Sequence, residues 1–499
     1  MASNETPKAR IKRIFLDRAQ VRWETFDLES LIEEDHPART IWKLCERFDL
    51  SRFEEQTKTL QGSAGRPCWP AQLLVSVWVY GYTIGVASGR ALNQLMKHEP
   101  GLRWLVAAEE INYHTLTDFR VDHKAALDEL FSQFLALLEA AGLVDLDTLL
   151  QDGTKVRAVA GRASLRRHKT VDKRLKKARK VVRELDRQAE EDNEGMDARR
   201  RAARARAARE ALKRAEAAMK KLKELEAKTA PSEQSEVQVS VSEPDARNMR
   251  HPDGGYGPSY NVQMSTEGRS RMMVGVGVTT AGNDLQELIP ALDRVKETCG
   301  KVPQTMITDN GYATRDNVEA STERKVELIA PWKEGASRGA GACKRNGIEK
   351  GFEPSAFKVQ RGGKKLKCPA GKMLVIIGQK KHHGRRCNVF EAKAAECARC
   401  KSKLQCLGKK EGPRQIERVV ESAAMREYLT RMKQPEAKEL YKRRSEVAEF
   451  PQLWFKGVKG LRRFSLRGLA KVEMEATWIA IAYNVTQYIR IKAEVAAAA

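Results

Sequence analysis

The chain has 499 residues, 41% of them hydrophobic, which gives room for two to four domains and a sizeable core. Its 91 Lys and Arg against 66 Asp and Glu set the net charge at +25 and the pI near 9.7, which points to a polyanionic partner, most often nucleic acid. The opening "MASNETPKARIKRIFL" lacks an apolar h-region and does not resemble a signal peptide, so none is expected there.

Residues 1–20 read as a flexible basic N-terminus and 21–142 as a helical N-terminal domain that binds DNA. The uncharged run Pro67–Gly89 raises a membrane question. It holds Gln72, Ser76, Thr83 and several glycines, and it would be a lone span, so a buried helix starting near Pro70 is expected instead. Farther on, "RALNQLMKHEPGLRWLVAAEEINYHTLTDFRVDHKAALDELFSQFLALLEAAG" has apolar residues at helical spacing, broken at Pro100–Gly101 and Asn112–Tyr113. Two short helices, the second holding "TLTDFR", fit a helix-turn-helix-like unit; plain packing of short helices is the competing reading.

Residues 165–230 are rich in Ala, Arg, Lys and Glu. Val171, Leu175, Ala178, Val182, Leu185 and Ala189 alternate steps of four and three, a heptad seam. A second seam runs through Ala205, Ala208, Leu212, Ala215, Met219 and Leu222 and lapses at Glu226. Between them, "EEDNEG" suits a reversal. The expectation is an antiparallel coiled-coil hairpin projecting from the body, with a basic face that either touches DNA or is simply solvated.

Strand-like sequence flanks this hairpin. "DTLLQDGTKVRAV" precedes it; "SYNVQMSTEG" and "SRMMVGVGVTTAG" follow, with Gly275 and Gly277 leaving one face bare for close packing. "DLQELIPALDRVKETC" reads as a helix with Asp284 and Glu287 at capping-box spacing, and Pro290 makes it start late or kink. "QTMITD", "TRDNVEASTER" and "VELIAPW" complete the series as strand, helix and strand. Three antiparallel strands followed by two parallel crossovers is the ribonuclease H order. The expected architecture is therefore an α/β ribonuclease H-like catalytic core from 143–164, 240–340 and 422–490. An all-α N-terminal domain, the helical hairpin and a Cys-rich insertion at 341–421 complete it.

In that order Asp152, on the first strand, and Asp309, on the fourth, are neighbours at the sheet centre. Two carboxylates brought together repel unless a divalent cation lies between them. Mg2+ takes carboxylates plus phosphate oxygens, and two ions together can serve phosphodiester cleavage or strand transfer. Asp145 and Asp147 compete with Asp152, which is preferred because it follows Leu149–Leu150 and precedes Gly153. For Asp309 the competing role is the aspartate of a "DNG" turn. A third acid is needed, and Glu334 and Glu449 are the candidates. Glu449 lies in a basic helical stretch with Tyr441, Arg444 and Lys456 near it in sequence, a setting that suits metal and phosphate together.

The pieces "LLQDGTKV", "YNVQ", "MITDNGY", "YKRRSEVAEFPQLWFK" and "RRFSLRGLAKVEMEATWIAIAYNV" together resemble the DDE transposases of bacterial insertion sequences, in the branch with a Tyr-Arg-Glu-Lys signature. "RALNQLMKHEPGLRWL…HTLTDFR" resembles that branch's N-terminal domain. The resemblance implies Asp152, Asp309 and Glu449 as the catalytic, metal-binding triad with Mg2+ or Mn2+, and Tyr441, Arg444 and Lys456 as contacts to the cleaved DNA end. It implies double-stranded DNA with terminal inverted repeats and target DNA as partners, a homodimer on paired ends, no membrane, and a cytoplasmic, nucleoid-associated protein. One departure stands out: the signature places Glu four residues after Arg, where this chain has Ala448, with Glu449 next. The arginine is then Arg443 or Arg444.

Nine cysteines are unevenly spread, five of them from Cys368 to Cys406. Cys368, Cys397, Cys400 and Cys406 offer four thiolates for a structural zinc, with Cys387, His382 and His383 as spares. Reduced, unliganded thiols are the alternative. Two rival functions remain: a metal-dependent nuclease on the same fold, and a non-enzymatic coiled-coil DNA-binding protein.

Overall fold

The computed structural model describes residues 27–55, 67–190, 198–251, 254–332, 343, 345–360, 363–382, 384–454 and 462–498. The chain opens with helices α1 (Pro37–Cys45), α2 (Ser51–Glu54), α3 (Ala71–Thr83), α4 (Gly89–Leu95), α5 (Pro100–Leu105), α6 (Tyr113–Asp122) and α7 (Lys124–Ala140). Helix α3 is the uncharged run; it starts after Pro70 and is buried almost all round. No described helix is long and apolar enough to cross a membrane.

Strand β1 (Thr148–Arg157) follows, then the short pair β2 (Leu165–Arg166) and β3 (Val239–Ser240), which closes the root of a hairpin made by α8 (His168–Glu190) and α9 (Ala198–Lys228). Both heptad seams hold. Val171 and Leu175 pack with Ala215, Met219 and Leu222 at the root, while Val182, Leu185, Ala205 and Ala208 toward the tip are only half-buried. The ion pairs Arg179–Glu216 (3.2 Å) and Arg209–Asp186 (3.0 Å) fix the antiparallel register. The expected reversal at "EEDNEG" and the seam position Ala189 lie outside the described residues and side chains.

The main sheet adds β4 (Arg247–Arg250), β5 (Tyr256–Glu267), β6 (Met273–Thr279), β7 (Thr305–Thr308) and β8 (Glu327–Ile329). Its order runs β5, β1, β7, β8, with β4 and β6 sharing the outer edge of β5. Strand β5 is antiparallel to β1 and to β6, while β1, β7 and β8 are parallel. Helices α10 (Leu288–Cys299) and α11 (Arg315–Glu323) are the crossovers. Strand β4 was not expected from the sequence.

Helix α10 does start late, at Leu288, which leaves Pro290 in the first turn where its missing N–H costs nothing. The capping box does not form. Glu287 makes no side-chain cap; its Oε1 accepts from Thr279 Oγ1 (3.0 Å), and Asp284 turns toward β5 instead. The bare glycine face is used as expected: a Cβ at Gly277 would lie 2.5 Å from Arg294 Nε on α10.

The cysteine-bearing segment is a second sheet, five strands in the order β13, β12, β11, β10, β9. These are β9 (Lys358–Val359), β10 (Lys365–Lys367), β11 (Met373–His382), β12 (Arg385–Ala392) and β13 (Gln415–Val419). Between β12 and β13 lie α12 (Ala394–Ala398) and α13 (Lys403–Leu407). After it come α14 (Ala423–Arg431), α15 (Pro435–Leu453) and α16 (Leu469–Ala498).

One apolar core runs from Ile32 to Tyr488. Helix α16 packs on α3, α7 and β6 at once, so the helices before residue 142 and the sheet share their interior. Trp478 of α16 donates to the Arg120 carbonyl (3.3 Å), and Arg120 stacks 4.7 Å over Trp78 of α3. The guanidinium of "TLTDFR" is thus turned inward, where it also donates to the Ala87 carbonyl.

Asn484 clamps α16 to the sheet. Its Oδ1 accepts from Met273 N–H and its Nδ2 donates to Met273 C=O, both at 2.8 Å and fully buried. Asn484→Ala leaves two buried backbone groups unpaired, so urea denaturation should show a loss of about 2–4 kcal/mol.

Candidate active site

The sheet centre reads as continuous apolar runs because both faces are covered. Leu149, Met306 and Leu328 enter the main core, while Leu150, Ile307 and Ile329 form a second cluster with Ala437 and Val447 of α15. In the parallel β1–β7 ladder, Leu150 pairs with Ile307 and Gln151 with Thr308. Asp152 and Asp309 each stand two residues beyond the Leu150–Ile307 pair. The two-residue strand period therefore points both toward the α15 face, side by side at the strand ends.

Asp152 is nearly buried. Its Oδ1 accepts from Gly153 N–H (2.8 Å) and its Oδ2 from Arg444 Nη2 of α15 (2.9 Å). Burial pushes its pKa up to about 6; Arg444 and the Gly153 N–H pull it down, and the charges of Asp309 and Asp284 raise it again. Asp309 Oδ1 accepts from Gly311 N–H (2.7 Å), so the aspartate closes its own turn while standing at the strand tip. The competitors at the other end of β1 are engaged elsewhere: Asp147 with Gln304 (2.9 Å) and Asp145 with Arg269 (3.4 Å).

Helix α15 brings the rest. Tyr441 packs beside Leu150, Ile307 and Ile329, on the same helix face as Arg444. Of the two arginines, Arg444 meets the acid, whereas Arg443 is exposed. The Arg444 Nε is buried without a hydrogen-bond partner among the described residues. Glu449 lies on α15, but its side chain is outside the described residues, as are Glu334 and Lys456. Five residues along an α-helix turn Glu449 about 140° from Arg444. Pro451 has no N–H for the Val447 carbonyl, and this loosens the turn that contains Glu449.

Behind β1, on the face opposite Asp152, is a polar junction that sequence reasoning missed. Gln263 Oε1 accepts from Gln151 Nε2 (2.8 Å) and from the buried Tyr312 hydroxyl (2.6 Å). Gln263 Nε2 and Asn261 Nδ2 both donate to Asp284 Oδ1 (2.7 Å each), and Ser265 Oγ donates to Gln151 Oε1 (2.7 Å). Gly153 lets them close: a Cβ there would lie 2.5 Å from Gln263 Nε2 and 2.6 Å from Asp284 Oδ1. The signal was the alternation of Asn261 and Gln263 within an otherwise apolar "YNVQM", which puts two amides on one strand face.

Cys368, Cys397, Cys400 and Cys406 line one small pocket with Phe357 and Leu374. The Cys406 thiol is pushed up first by burial and then by its neighbours Cys397, Cys368 and Cys400, with Arg414 opposing. The Lys372 N–H lies 3.1 Å from Cys368 Sγ. Cys387 is buried on β12, His382 lies on β11 with its side chain outside the described residues, and His383 is outside them altogether. Among the described residues, no group of three or more His, Cys, Asp or Glu is arranged to hold a metal ion.

A family model described as a transposase DDE domain matches residues 367–489. One described as a transposase domain (DUF772) matches residues 26–122. The first takes in the cysteine pocket, α15 with Glu449 and most of α16; Asp152 and Asp309 lie between the two matches. No curated protein matches the chain.

The raised pKa of Asp152 has a stability consequence. The fold favours its protonated carboxyl, so its contribution is full below the ordinary value near 4 and is lost as pH rises through about 6. Thermal unfolding of the metal-free protein should therefore show Asp152→Asn gaining on the parent between pH 4 and 6, by on the order of 3 kcal/mol, with no further gain above pH 7.

Proposed function

We propose that this chain, which belongs to the DDE transposases typical of bacterial insertion sequences, cuts and joins DNA at Asp152, Asp309 and Glu449. The observation that carries the reading is the β1–β7 register, which leads two carboxylates to one sheet edge beneath α15. The strand order, three antiparallel and then two parallel, supports a ribonuclease H-like core built from 143–164, 240–340 and 422–490. Segments 165–230 and 341–421 are then insertions, and 21–142 is the part that binds the inverted repeats.

DDE transposases generally use divalent metal ions. Hard carboxylate oxygens at this edge suit Mg2+, or Mn2+, held by Asp152, Asp309 and Glu449. Bound there, the metal would supply charge neutralisation, an activated attacking oxygen and a stabilised leaving oxygen. The protein supplies the placing. Arg444 pairs with Asp152 in the metal-free protein, and its guanidinium would turn to a phosphate oxygen once a metal takes the acid. Tyr441 borders the same edge and would pack against the DNA end. Lys456 joins it on the family resemblance alone. Joining two ends to target DNA calls for a homodimer during the reaction, on DNA of the nucleoid.

Asp309→Asn should bind its inverted-repeat DNA as the parent does and lose cleavage in Mg2+, read as nicked and joined products on an end-labelled duplex. Full strand transfer by this variant would falsify the assignment.

The four converging thiols are the right type and number for a tetrahedral zinc site, provided they draw closer together than they stand. Elemental analysis of the purified chain should find about one zinc per chain, and Cys397→Ser with Cys400→Ser should remove it. A zinc-free parent whose melting temperature ignores chelator would end the zinc reading.

A further inference from the structure

The hairpin α8–α9 takes no part in the site described above, yet it concentrates charge. Its two helices carry 21 Lys and Arg against eight Asp and Glu, a net +13 of the chain's +25. Most of these acids are used internally, as in Asp172–Lys176, Asp186–Arg209, Glu210–Arg214 and Glu216–Arg179. The surplus is therefore positive, and it is ordered.

Lys169, Lys173, Lys176, Lys180, Arg183 and Arg187 step along α8 by four and three, the same rhythm as the apolar seam but two residues out of phase. Two residues turn the helix by about 200°, so this stripe lies on the side opposite the seam. All six side chains are exposed. Lys169, Lys173, Lys180 and Arg183 form no ion pair among the described residues, while Lys176 pairs with Asp172 and Arg187 with Glu184 on the same helix. The stripe runs from Lys169 to Arg187, about 27 Å of helix, and a duplex offers a phosphate charge every ~1.7 Å of its axis.

We propose that the hairpin is a DNA arm: the outer face of α8 lies along a duplex and grips its phosphates without reading sequence. The chemistry disfavours other partners. Val181 is the one exposed large apolar side chain on the described hairpin, which leaves no second seam for another copy of the chain. A membrane-surface helix would need a bulky apolar face beside its bases, and none is present there. The arm also stands where bound DNA would pass. It roots just after β1, and Asp152 is five residues, about 17 Å of strand, from Arg157 near that root. Exposed Arg462 and Arg463 lie there too, the backbone of Arg462 accepting from Arg157 N–H (3.2 Å).

The inference rests on duplex DNA being the partner of the full chain. It is tested by fluorescence anisotropy of the intact protein on a labelled duplex of arbitrary sequence, longer than the arm, across a salt series. The variant Lys173→Gln, Lys180→Gln, Arg183→Gln keeps good helix formers away from the seam. It should bind about tenfold or more weakly at ~0.1 M salt, with a log–log salt slope flatter by about two to three. An unchanged slope in the triple variant overturns the arm; a parent that binds no duplex at all overturns the transposase reading instead. A single photocrosslinker at position 180 in the otherwise native chain covers the case in which the triple variant misfolds. Adducts to DNA support the arm, and adducts to a second copy of the chain or no adduct overturn it.

Discussion

Gln263 is the junction on which the site depends. It accepts from Gln151 beside one acid and from Tyr312 beside the other, and it donates to Asp284. The apolar residues around it do not fix register by themselves. Leu149–Leu150 and Met306–Ile307 are buried on both faces, so a slip of one residue would still bury them. The same slip would strand a buried amide and a phenol, at roughly 1–3 kcal/mol for each unpaired group. Polar pairing, more than hydrophobic pattern, holds Asp152 and Asp309 side by side.

Much of this was legible because it is written locally. Strand period, the late start at Leu288, the two heptad seams and the turn after Asp309 each depend on a few adjacent residues. Asp284 was misread because capping spacing is also local, while the two amide donors that claim its carboxylate come from β5, across the sheet. The second sheet was missed for a related reason. Strands such as "KLK" and "RRCNVFEA" are too charged to show a clean alternation, and Phe357, Leu366, Leu374, Phe390, Ala392 and Ile416 form their small core. Residue 142 falls between helix α7 and strand β1, and α16 packs on the elements of both sides.

A strongly basic protein holding acids at one edge sets two electrostatic tasks in different places. The edge carries carboxylates, one of them kept from easy ionisation by burial and answered by Arg444. The arm carries half of the net positive charge at a remove from them, where it attracts phosphates without neutralising the carboxylates. Had the same bases lined the edge, they would pair with the oxygens of Asp152 and Asp309.

The place of α16 in the core has a consequence for biosynthesis. Helices α1 to α7 leave the ribosome first, but the surface of α3 and α7 that α16 covers stays bare until hundreds of residues later. Domains made early usually fold as units during synthesis. Here the early helices wait for a late one, and the same late helix clamps β6 through Asn484. A chain interrupted anywhere before α16 lacks both a finished N-terminal half and a braced sheet. An unfinished product therefore has neither a closed helical core nor a clamped sheet, and both arrive with α16.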